Sequence, residues 1–126
     1  MGRIVRPAVA SWLAGTENSR AFVHALRIGN TVYIGHSFEF SSPMSRRLKD
    51  RLNSPSGKLI ITGFNGHHNL YSIPGEYYDD PSLEASLTLY GPGLGSYLDA
   101  ATAQVYEFMK SIPFQQVGDG KQIAGD

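Results

Sequence analysis

Side chains able to move a proton or hold a metal crowd together at one place in this sequence. His67 and His68 are adjacent, and Asp79 and Asp80 follow in the acidic loop of residues 76–81. Imidazoles titrate near neutrality and carboxylates orient them, so the pairing has the chemistry of a mixed metal site or an acid–base pair. The spacing argues against a shared metal. Neighbouring residues of a strand point to opposite sides of the sheet, and zinc sites take His-x-His on strands or His-x-x-x-His on helices. Neither spacing occurs here, so no metal and no cofactor is expected. At most one of the two histidines is free to face Asp79 or Asp80.

A second group of residues suits an anion. Arg46, Arg47, Lys49 and Arg51 crowd one short stretch, and in a helix they form an outer face able to contact phosphate or an acidic partner. Gly91-Pro92-Gly93-Leu94-Gly95-Ser96 precedes a helical pattern, and a helix start presents backbone N–H groups to negative charge. The spacing does not fit the dinucleotide fingerprint, and the lysine of a P-loop is missing. Gly93, Gly95 and Ser96 with Arg46, Arg47, Arg51 and a tyrosine, Tyr33 or Tyr71, therefore make a candidate site for an anionic small molecule or nucleotide. No serine stands in a Gly-x-Ser-x-Gly elbow, and no catalytic residue is assigned.

The elements that must position these residues are legible from periodicity. Two runs, residues 19–28 and 31–40, flank Gly29-Asn30, and glycine at the first central position suits a type II′ hairpin turn. That loop pairs Arg27 with Val32, Ala25 with Ile34 and Val23 with His36. It also places His36 on the apolar face, as a core or interface histidine bonded to a backbone carbonyl. Ser42-Pro43 reads as the start of a helix whose Met44, Leu48 and Leu52 share one side. Residues 58–64 and 67–73 flank Asn65-Gly66, the strongest short hairpin signal. Leu83, Ala85, Leu87 and Leu89 alternate with polar residues as in a half-buried strand. A long helix then begins with Ser96 as N-cap, carries Leu94, Leu98, Ala101, Val105, Phe108 and Ile112 on one stripe, and ends at Pro113.

These elements predict an α+β fold: an antiparallel sheet of five or six strands, built from two hairpins plus one strand, with one short and one long helix packed on one face. A further strand is expected at residues 3–9. The chain has 126 residues, enough for one core, which is placed at residues 1–114 with a flexible polar tail at 115–126. Eleven basic and eleven acidic residues cancel, so neither nucleic acid nor a membrane is an expected partner. There is no cysteine, which removes disulfides and thiolate sites and suits a cytoplasmic setting. The expected function is a small non-enzymatic binding or assembly protein. It self-associates as a homo-oligomer through a tyrosine-bearing sheet face, or through the basic helix against the acidic loop. The alternatives are the anion binder and an enzyme working through the histidines and aspartates.

Overall fold

In a computed structural model, residues 21–54 and 58–113 are described. The expected strand at 3–9 and the tail at 115–126 lie outside them. The first hairpin forms in the expected register. β1 (Val23–Ile28) pairs antiparallel with β2 (Thr31–His36), with Val23 opposite His36, Ala25 opposite Ile34 and Arg27 opposite Val32. Gly29 has φ +56°, the left-handed conformation that the first central residue of a type II′ turn requires. Val32, Ile34 and His36 alternate on one face of β2 and are all buried.

β3 (Glu39–Phe40) leads into helix α1 (Ser42–Arg51). Proline in its first turn presets the helical φ, and Met44 and Leu48 are buried one turn apart. Asn53 closes the helix with φ +46°. β4 (Leu59–Thr62) and β5 (Tyr71–Ser72) follow, then a 3₁₀ turn at Gly75–Tyr77, the short helix α2 (Leu83–Ser86) and the long helix α3 (Leu94–Ser111).

The predicted antiparallel sheet of five or six strands does not form. There is a three-stranded sheet of order β1-β2-β4 and a separate two-stranded sheet of β3 and β5. β4 runs parallel to β2, with Ile34 opposite Ile61, and β5 runs parallel to β3. Residues 58–73 are therefore a crossover between two sheets and not a hairpin. Asn65-Gly66 makes no type I′ turn, because the positive φ values fall on Phe64, Gly66 and Leu70 and such a turn needs them at both central residues. Asn65 serves another purpose: its backbone N–H donates to His36 O at 2.8 Å, and its side-chain amide donates to Thr62 Oγ1 at 2.8 Å and Gly63 O at 3.0 Å.

The strand expected at residues 83–89 is also replaced. Ser82 Oγ accepts from the Ala85 N–H at 3.2 Å and caps α2. Ala85 and Thr88, three apart, are the buried residues of this stretch, and Leu83 is exposed. That is a helical step. Among the described residues there are three α-helices, not two.

α3 packs on β1 and β2 and touches α1. Its buried face is Leu98, Thr102 and Tyr106, whereas Phe108 and Ile112 of the predicted stripe are exposed. Tyr106 joins Val32, Ile34 and Leu59 in the main core. The guanidinium of Arg27 donates to Met109 O at 3.1 Å and Ile112 O at 2.9 Å, closing the last carbonyls of α3 with positive charge where the helix dipole favours it. No helix among the described residues is long and apolar enough to cross a membrane.

Candidate functional site

Two cavities meet at the turn Gly75–Tyr77, which forms a wall of each. The smaller, of about 250 Å³, lies between α1 and the start of α3 and is lined by Arg47, Arg51, Gly95, Ser96, Glu76 and Asp99 among others. Four residues of the expected anion site thus come together. Arg46 and Gly93 do not line it, Tyr33 lies on β2 away from both cavities, and Tyr71 belongs to the second. Each cavity arginine already has a carboxylate. Arg47 pairs with Glu76, and Arg51 Nη2 is 2.5 Å from Asp99 Oδ2. Arg47 also lies over the Tyr77 ring, 5.9 Å from its centroid. Glu76 is held below its ordinary pKa, first by its own backbone N–H and then by Arg47. An incoming anion must therefore displace an internal partner.

The larger cavity, about 510 Å³, has the opposite character. Glu39, Glu84 and Asp80 line it together with Tyr71, Ser41 and Ser82, and among the described residues no lysine or arginine does. The parallel ladder builds its centre. Glu39 stands opposite Tyr71 and Phe40 opposite Ser72, with the Glu39 N–H donating to Leu70 O at 2.8 Å. Successive strand residues alternate in direction. Phe40 and Ser72 accordingly turn inward, where Ser72 is buried and Phe40 stacks on His36, and Glu39 and Tyr71 face the cavity side by side.

The Glu39 carboxylate beside the Tyr71 phenol, first as a hydrogen-bond acceptor and then as a charge, together with burial and the charge of Glu84, holds the phenol above its ordinary pKa, so at neutral pH it keeps its proton. The Ser41 hydroxyl oxygen is buried and has no hydrogen-bond partner among the described residues. The Ser82 oxygen is committed to capping α2. The arrangement is rich in acceptors, suited to a ligand that offers several O–H or N–H donors or a positive charge.

His67 and His68 take no part in either cavity. His67 stacks on Phe22, with centroids 6.0 Å apart, and His68 packs against Phe64 at 4.5 Å. Of the two aspartates expected beside them, Asp80 lines the larger cavity and Asp79 lines neither. No three His, Cys, Asp or Glu side chains among the described residues converge closely enough to hold a metal ion. Reading the sequence misses Glu39, Ser41, Ser82 and Glu84. The one available signal was an acid between two aromatics, Phe38-Glu39-Phe40, immediately before a helix start.

No family model matches this sequence, and no curated protein does. Two solved structures share the fold. One is a ceramidase complexed with C2, with TM-score 0.61 and 20% identity over 75% of this chain. The other is the neutral ceramidase from Pseudomonas aeruginosa, with TM-score 0.58 and 19% identity over 75% of this chain. The matched region makes up 16% of each ceramidase chain.

Proposed function

We propose that this chain binds the polar part of an N-acyl amide in the Glu39–Tyr71 cavity, working as one part of a larger ceramidase-like unit. The observation that carries the reading is the Glu39–Tyr71 pair, set side by side by the β3–β5 ladder in an acceptor-rich cavity of about 510 Å³. A ceramide head offers hydroxyl and amide donors, which the carboxylates lining the cavity are placed to accept. Support from the likeness is of fold, since the chain corresponds to 16% of either ceramidase. The role is therefore binding and positioning, with the bond-breaking groups supplied by the rest of the unit.

Association belongs to the same reading, with the remainder of such a unit or with a second copy. Leu26 and Ile28 on β1 and Phe108 on α3 are more than half exposed, and apolar surface of this kind is what an assembly covers. Charge is a weaker driver than the sequence suggests, because Arg47 and Arg51 find acidic partners within the chain.

Titrating the full chain with an N-acetyl amino alcohol of the short-chain ceramide type, followed by amide NMR, tests the site. Shifts are expected at residues 39–42, 71–72 and 82–84, with binding weakened about tenfold by Glu39→Gln, the cost of losing a charge-assisted hydrogen bond. Shifts confined to other segments, or no binding, overturn it.

A further inference from the structure

β4 has β2 on one side and, among the described residues, no strand on the other. The ladder decides which of its backbone groups face outward. The Val32 N–H donates to Lys58 O at 2.9 Å, with Val32 opposite Leu59 and Ile34 opposite Ile61. In a parallel ladder every second residue turns both its N–H and its C=O to the same neighbour. Lys58, Ile60 and Thr62 therefore turn to β2, and the N–H and C=O of Leu59 and Ile61 point out of the sheet edge. Among the described residues no backbone bond from another segment reaches them. A row of this kind is a template for an added strand.

We propose that this edge pairs antiparallel with the β4 edge of a second copy of the chain, about a two-fold axis at Ile60. The register follows from the hydrogen bonds. Outward-facing residues must meet outward-facing residues, because the two members of a hydrogen-bonded antiparallel pair exchange both bonds. Centring on Ile60 satisfies this on both sides of the axis: Leu59 meets Ile61 of the second copy, and Ile61 meets its Leu59. Ile60 then faces Ile60 in the closely spaced position that carries no hydrogen bond. Charge agrees with this register, since Lys58 falls opposite Thr62 and no like charges meet. The apolar surface agrees as well. Leu26, Tyr33 and Ile60 stand in one row across the three strands, on the face opposite the Val32, Ile34 and Tyr106 core. Leu26 is 57% exposed, and Tyr33 and Ile60 are half-buried. Any extended strand could meet the backbone groups, but the chain's own β4 also continues this row across the axis. The proposal rests on the self-association reading and gives it one contact, apart from the Glu39–Tyr71 cavity, whose lining includes no residue of β4.

The chain has no cysteine, so a single introduced thiol reports the register. A non-hydrogen-bonded antiparallel pair has Cα atoms about 4.5 Å apart, inside the range of roughly 4.4–6.8 Å that a disulfide spans. In mild oxidant Ile60→Cys should form a disulfide-linked dimer about tenfold faster than Thr62→Cys, whose two copies lie roughly 13 Å apart along the strands. Position 62 is the more exposed of the two, so random collision would favour the opposite order. Ile60→Lys, which sets like charges face to face, should weaken dimerisation of the full 126-residue chain about tenfold in sedimentation equilibrium. Thermal unfolding reports that each variant is folded. In the unaltered chain, amide hydrogen exchange at Leu59 and Ile61 should slow as concentration rises, and this decides where a variant does not fold. Equal cross-linking at 60 and 62, exchange at Leu59 and Ile61 that ignores concentration, or a monomer at every concentration overturns the proposal. Dimerisation without that protection would return the contact to Leu26, Ile28 and Phe108. Ligand shifts at the Glu39–Tyr71 cavity are read from other segments, so that reading stands or falls separately.

Discussion

His36 couples proton uptake to folding. Burial lowers its pKa from 6.5 to about 4, so between those values the unfolded chain holds a proton that the folded chain does not. Stability from this residue is complete above pH 6.5 and drains away as the pH falls towards 4, a loss of about 3 kcal/mol. Urea unfolding at pH 7.5 and at pH 4 should show that difference, and His36→Phe should remove most of it. Glu76, whose pKa is depressed, adds a loss of the same sign that begins as the pH falls below its unfolded value of 4.5, at the acid end of this window. The burial of this histidine is readable from the alternation Val32, Ile34, His36. Its partner is not: the expected backbone carbonyl proves to be the hydroxyl of Thr102, which is 66 positions away and within reach only once α3 has packed on β2. The same holds for Glu39 and Tyr71, since strands of two residues carry no periodicity that could announce a pairing.

Among the elements, those governed by local chemistry follow the sequence and those decided at long range do not. The β1–β2 hairpin is fixed by a two-residue loop with glycine in the correct place. The Asn65-Gly66 hairpin loses to a competitor. A favourable turn contributes on the order of 1 kcal/mol, whereas burying one aliphatic side chain contributes roughly 1.5–3 kcal/mol. Docking β4 beside β2 puts Leu59 into the main core, with Ile61 partly buried against it. At residues 83–89 a short apolar alternation fits either period, and the Ser82 cap decides for helix. Helix α3 falls near its expected place, but it begins at Leu94 with Gly93 and not Ser96 as N-cap, and it is rotated, with Gly95 letting its first turn approach the backbone of Ile73. A methyl group there would run into the Ile73 carbonyl oxygen, while one at Gly93 meets nothing within 4 Å. Gly95→Ala should therefore destabilise the fold by about 1–3 kcal/mol, and Gly93→Ala by less, with chemical denaturation separating the two.

For the whole molecule, the internal pairing of Arg47 with Glu76 and Arg51 with Asp99 changes what association should look like. If copies meet through Leu26, Ile28 and Phe108, the species seen by multi-angle light scattering should grow with concentration and persist at 1 M salt, where the Debye length is about 3 Å. Dissociation by salt would return the contact to the basic helix, and a monomer at every concentration would remove self-association altogether.

The three-stranded order β1-β2-β4 leaves β4 with one neighbour among the described residues. The outer edge of β4 is Leu59-Ile60-Ile61-Thr62, four residues without a charge or a proline, so it lacks the devices by which exposed strands avoid recruiting others. Left unpaired, an edge of this composition is expected to seed slow, fibre-like aggregation, read out as thioflavin-positive material on storage. A shelf life lengthened by Ile60→Lys would trace that behaviour to this one strand.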